Sequence, residues 1–315
     1  MRRSLFVLLS LLALLAVPVA LADGGPSPGI LGGGDGVATP GGDVRYVTFP
    51  SGSQTVLAVV RKDGGQTLRY TTLPGQWGVP MVAWNGTGGG LSRDGRTLVL
   101  GSGVPEVRKY SSFIIVDTKS ISARTIVGMK GDFTFDALSP DAKTLYLIQH
   151  LIKNRSDQTH YIVRSYDLTR GALNPGAIAD KTQRGWVMAG WPMARAMSAD
   201  GRWVYTLYSR NGGYPFVHVL DAERGVAHCV GIPWHGSQNN IWQYKLVADS
   251  NGVTIVRGTG KTFATIDTAT FRFQRATTQR ASFPWWIVAI VIATATPGSL
   301  LGRSLRRRRS AAVHA

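Results

Sequence analysis

Residues 43–282 break into short segments of alternating or continuous apolar residues, each bounded by polar turn formers. A period of two, carried by β-branched and aromatic side chains, predicts strands. The clearest are 44–49, 55–60, 97–100, 113–117, 144–148, 161–167, 203–207, 216–221, 253–256 and 263–267.

One turn recurs between these strands. It reads Leu91-Ser92-Arg93-Asp94-Gly95-Arg96, Leu138-Ser139-Pro140-Asp141-Ala142-Lys143 and Met197-Ser198-Ala199-Asp200-Gly201-Arg202, with Leu246-Val247-Ala248-Asp249-Ser250-Asn251-Gly252 as a degenerate copy. Ser and Asp side chains cap backbone N–H groups in such a turn, and Gly or Asn accepts positive φ. The four aspartates are spaced 47, 59 and 49 residues apart. Stacked β units of roughly 40–50 residues are the signature of propeller blades. The long middle interval carries Asn174-Pro175-Gly176 through Gln183-Arg184-Gly185, a loop insertion.

A second hairpin in each unit ends on Asp117, Asp167, Asp221 or Asp267, and a further strand follows (124–127 and 227–232, for example). That makes four strands per unit, as a blade requires. A fifth unit precedes these. Strands 44–49 and 55–60 flank Pro50-Ser51-Gly52-Ser53, 66–72 follows, and 79–84 closes the unit. The expected fold is all-β, a β-propeller over residues 43–282 with five blades, six being the alternative.

The two ends predict a location. Arg2 and Arg3 precede an apolar run over 5–17 and the small-x-small site Ala20-Leu21-Ala22, so 1–22 reads as a secretory signal peptide. Residues 23–42, rich in Gly and Pro, read as a flexible leader. Residues 283–302 read as one C-terminal transmembrane helix, with Trp285 and Trp286 at an interface belt. Arg303 and Arg306–Arg309 then mark 303–315 as a basic cytoplasmic tail. The chain is thus expected in the cell membrane as a single-pass protein with its propeller extracytoplasmic.

The formal charge is +17, and it stays strongly basic without the arginines of the two ends. That favours anionic surfaces such as lipid head groups or acidic wall polymers, or simply keeps the domain soluble beside a membrane. No basic run interleaved with aromatics points to nucleic acid. The lone Cys229 excludes an internal disulfide, and a buried, inert thiol is expected there.

Catalytic chemistry is thinly represented. Glu106 and Glu223 are the two glutamates, both in loops, and no Gly-x-Ser-x-Gly elbow occurs. His218, His228 and His235 share a unit without ligand-like spacing, so no metal and no cofactor is expected. Gly86-Thr87-Gly88-Gly89-Gly90 leads into a strand, not a helix, and fits a close approach of the innermost strand better than a phosphate loop.

In a propeller, residues just before the Ser-x-Asp turn belong to the strand nearest the axis. Asp136, Arg195 and Tyr244 lie five positions before their turn aspartates, and Trp242 lies seven before. These four are expected to converge on the hub mouth as a ligand-binding rim, extended by Trp186 and Trp191 from the inserted loop. The competing expectation is an Asp136–Arg195 ion pair between blades with the aromatics as core.

The quoted tetrads, Leu138-Ser139-Pro140-Asp141 above all, resemble the Leu-Ser-Pro-Asp-Gly repeats of YVTN-type and Tol-system bacterial propellers. Ala142 departs from the usual Gly, and the last copy lacks Ser. The resemblance implies the fold over residues 44–280 and carries no catalytic residue across, because such propellers serve as scaffolds, surface proteins and occasionally lactonases. The function expected is a membrane-tethered binding or scaffold module for a partner protein or an anionic envelope polymer. The alternatives are an extracytoplasmic enzyme on a sugar or lactone and an accessory subunit of a membrane complex.

Overall fold

A computed structural model describes residues 29–31, 33–102, 108–151, 160–183, 185, 187–210 and 212–276. The segments expected as signal peptide, membrane helix and basic tail lie outside the described residues. Among the described residues, no helix is long and apolar enough to cross a membrane.

Among the described residues, five antiparallel sheets form one after another along the chain. The amino end contributes β1 (Ile30–Leu31) and β2 (Gly33–Ala38). The first sheet is β2, β3 (Val44–Ser51), β4 (Gln54–Arg61) and β5 (Thr67–Pro74). In the second, β6 (Trp77–Pro80), β7 (Thr97–Ser102), β8 (Tyr110–Asp117) and β9 (Ser122–Lys130) follow β1. The third comprises β10 (Phe133–Leu138), β11 (Thr144–His150), β12 (His160–Asp167) and β13 (Ala172–Leu173), with β14 (Met188–Ala189) also on β12. The fourth is β15 (Trp191–Met197), β16 (Trp203–Ser209), β17 (Phe216–Asp221) and β18 (Val226–Gly231). A 3₁₀ turn, Ile241–Gln243, precedes the fifth, which is β19 (Tyr244–Ala248), β20 (Gly252–Arg257), β21 (Thr262–Asp267) and β22 (Phe273–Arg275).

This is the blade plan of a β-propeller, in which each sheet offers one apolar face to each neighbour. Along β7, Leu98 and Leu100 pack with Leu57 and Val59 of the first sheet. Val99, on the opposite face, packs with Phe133, Leu145 and Leu147 of the third. Tyr146 and Val163 then meet Val204 and Leu220, and Tyr205 and Leu207 meet Tyr244 and Ile255. The core therefore consists of layers between sheets.

The recurring turn is built as its residue types require. Ser139 Oγ donates to Asp141 Oδ1 at 2.6 Å and accepts the Thr144 N–H at 2.9 Å. Ser92 and Ser198 repeat both contacts with their own aspartates and following strands. Gly95 and Gly201 sit at φ +70° and +75°, where Ala142 is held at +56°. The degenerate copy keeps the aspartate, whose Oδ1 accepts the N–H groups of Asn251 and Gly252 at 2.7 and 3.0 Å.

Two expectations are corrected. Part of the stretch read as a flexible leader is strand: β1 pairs with β6, and β2 is the inner strand of the first sheet. Consequently residues 79–84 do not close the first unit, because β6 belongs with β7 in the second sheet. Gly-rich composition masks pairing of this kind. The inner strand comes first in each sheet, so its partner lies downstream.

Candidate functional site

The inner strands of the first, third and fourth sheets and the segment between β6 and β7 line a cavity of about 220 Å³. Its wall is mostly apolar, including Val37, Val82, Phe135, Ala137, Met197 and Val204, with Arg93, Asp136 and Arg195 as its charged members. Glycines let the backbone close in. A Cβ on Gly89 would stand 2.7 Å from Val82 Cγ1 and 2.9 Å from the Phe135 ring. The glycine run is therefore a close approach of strands, as its residues suggest.

Asp136 and Arg195 meet across the third and fourth sheets. Arg195 Nη1 donates to Asp136 Oδ1 at 2.7 Å and to Thr206 Oγ1 at 3.1 Å, and Nη2 donates to the Asp136 backbone carbonyl. The side chains are 8% and 3% exposed. A β-bulge creates the encounter. Register slips between Phe135 and Ala137, so Asp136 is the extra residue and turns toward the fourth sheet. Arg195 faces back toward the third.

The other expected rim residues are not brought there. Tyr244 is buried between the fourth and fifth sheets, edge-on to Trp234 and Phe263, and its hydroxyl accepts from Arg257 Nε at 2.9 Å. Trp242, in the 3₁₀ turn, is 63% exposed and lines a separate groove with Lys245 and Arg257. Trp191 is half-buried and lies 6.3 Å from the Trp84 ring. Trp186 lies outside the described residues. The rim of four converging side chains is thus replaced by one ion pair beside a cavity.

Sequence reading missed what lies behind that pair. Arg195, Thr206, His218 and Cys229 stand opposite one another across β15 to β18, a polar row on one face of the fourth sheet. Tyr161 of the third sheet stacks on Tyr208 at 5.5 Å. His218 Nδ1 lies 3.6 Å from Cys229 Sγ. Burial holds the His218 imidazole down to about 4, with Asp136 the foremost charge opposing that shift. Burial also pushes the half-buried Cys229 thiol up to about 12. A neutral imidazole beside a protonated thiol is the reverse of an activated Cys–His nucleophile. Cross-strand register placed the row together, and nothing in linear spacing announced it. Among the described residues, no three of His, Cys, Asp and Glu group as metal ligands.

No protein-family model and no curated protein matches the sequence. Solved structures similar to the chain include a hydrazine synthase from Kuenenia stuttgartiensis, at 15% identity over 73% of this chain and 63% of that one, with TM-score 0.45. TolB from Acinetobacter baumannii is similar at 14% identity over 72% and 52%, TM-score 0.41. The protein lmo1340 from Listeria monocytogenes is similar at 10% over 79% and 82%, TM-score 0.38. The chain spans less than two thirds of the first two. At these identities and scores none of them lends the chain an activity.

Proposed function

We propose that the protein is a binding or scaffold module, a propeller carried outside the cell on a single membrane span, that engages a partner protein or an anionic envelope polymer at its hub cavity. The observation that carries this reading is the cavity itself. Its buried charges neutralise one another through Asp136 and Arg195, so what remains for a partner is apolar wall. At the mouth stand Met197, 44% exposed, and Arg93, exposed and without an ion-pair partner among the described residues. An apolar group flanked by a negative charge suits that combination. The membrane span is supported by the apolar run over 285–301, its tryptophans and the arginines after it.

An enzyme acting on a sugar or lactone would need Asp136 as an available acid or base, and that side chain is 3% exposed and held in an ion pair by Arg195. Capture of envelope components by the full chain, compared with Arg93→Glu and Met197→Glu, tests the proposal. Loss of capture with an unchanged melting temperature is expected. Equal capture by all three proteins would overturn it, and protection of the bulk of the chain from protease on intact cells would overturn its location.

A further inference from the structure

The polar row ends in a set of donors that the binding reading leaves unused. Cys229 Sγ lies 3.6 Å from His218 Nδ1 and 3.9 Å from Met188 Sδ. Three elements supply them: β18, β17 and β14, the last from the third sheet. We propose that Cys229, Met188 and His218 form a Cu(I)-binding site at the seam between the third and fourth sheets.

The two separations from Cys229 are those of a three-coordinate centre with the thiolate as the shared vertex. A d¹⁰ ion holds sulfur at about 2.3 Å and imidazole nitrogen at about 2.0–2.1 Å. Placed in a trigonal plane, those bonds set the two sulfurs about 4.0 Å apart and sulfur from nitrogen about 3.8 Å apart. The separations of Cys229 from Met188 and from His218 fall within 0.2 Å of these.

Donor type selects the metal. Thiolate with thioether is a soft pair that favours Cu(I), and imidazole accommodates it. Charge selects the oxidation state. Binding breaks the Cys229 S–H bond, releases that proton to solvent and forms a metal–sulfur bond, so a monovalent ion leaves the net charge of the site unchanged. A divalent ion would leave an extra positive charge in a seam where His218 is 2% exposed.

The surroundings meet two further requirements of a metal site. A cleft of about 330 Å³ lined by Met188, Phe216, Cys229 and Gly231 gives a route in from the surface. The ligand strand is held from outside: the Cys229 N–H donates to Asp180 Oδ2 at 2.9 Å, and Gln183 Nε2 donates to the Cys229 carbonyl at 2.7 Å. With Nδ1 given to the metal, the ring proton sits on Nε2, which is buried and, like Asp136 Oδ2, has no hydrogen-bond partner among the described residues.

The test uses the purified full chain under anaerobic conditions, with the Cu(I)–bicinchoninate complex as metal donor. One equivalent of Cu(I) should transfer to the protein, and X-ray absorption should show two sulfur neighbours and one nitrogen. Cys229→Ser should abolish transfer. Met188→Leu, which conserves volume and fold, should weaken it at least about tenfold. The competing reading, an ordinary S–H···N hydrogen bond, predicts no transfer. That result would overturn the site, as would transfer unaltered in Cys229→Ser and Met188→Leu or equally tight binding of Zn(II). None of these outcomes bears on the hub cavity, whose variants are separate.

Discussion

Replacing Arg195 with Met leaves the Asp136 carboxylate buried without its guanidinium. Both side chains are nearly inaccessible, and Arg195 holds Asp136 through one carboxylate oxygen and the backbone carbonyl while also reaching Thr206. Breaking a buried pair by deleting one partner costs about 3–5 kcal/mol, because an uncompensated charge remains. For a domain of this size, roughly 2–4 °C of melting temperature is lost per kcal/mol. A fall of about 6–20 °C is therefore expected. Removing both charges, as Asp136→Leu with Arg195→Met, should restore most of the loss, since apolar groups of similar volume replace buried pairs at little cost. Urea titrations of the wild type, both single variants and the double variant close a cycle that isolates the coupling. A loss below about 1 kcal/mol in Arg195→Met would show that the pair is solvated, refuting the burial reasoning. Loss of partner capture at an unchanged melting temperature would instead make the pair part of a binding surface.

Four further outcomes follow from the same geometry. Ala142→Gly should raise stability by about 0.5–1 kcal/mol in urea melts, because φ of +56° strains any residue with a Cβ. Ser139→Ala should cost about 1–3 kcal/mol, since the Thr144 N–H loses the hydroxyl that accepts it. Burial lowers the imidazoles of His150 and His218 to about 4, so the unfolded chain takes up protons first as pH falls. Stability should therefore decline between about pH 6.5 and 4, by up to about 1.4 kcal/mol per pH unit per histidine, and His150→Gln should flatten the profile. The Cys229 thiol, raised to about 12, should resist alkylation by iodoacetamide at pH 8 and react once urea unfolds the chain.

The repeat was legible because its turn chemistry is local. Ser and Asp two residues apart satisfy each other and the next strand, so their spacing survives in the sequence as a count. The same count could locate Asp136 and Arg195 near the axis, but it could not say which face each would occupy. Period-two alternation sends Arg195 toward the third sheet and Tyr244 toward the fourth, into separate seams. Asp136 reaches Arg195 only through its bulge, which no turn residue signals. The row from Arg195 to Cys229 was illegible for a related reason: its members are neighbours only after four strands align. At the amino end, glycine-rich composition read as slack chain where it supplies two strands.

Those two strands have a mechanical consequence. Within ten residues the chain binds the second sheet through Ile30 and Leu31 and then the first through Gly33–Ala38. Gly78 leaves room for this: a Cβ there would come within 2.3 Å of Ile30 Cδ1. The amino end thus acts as a clasp buckling two neighbouring blades together. Trimming the chain short of residue 29 spares the clasp, whereas cutting at residue 39 would unbuckle both blades at once.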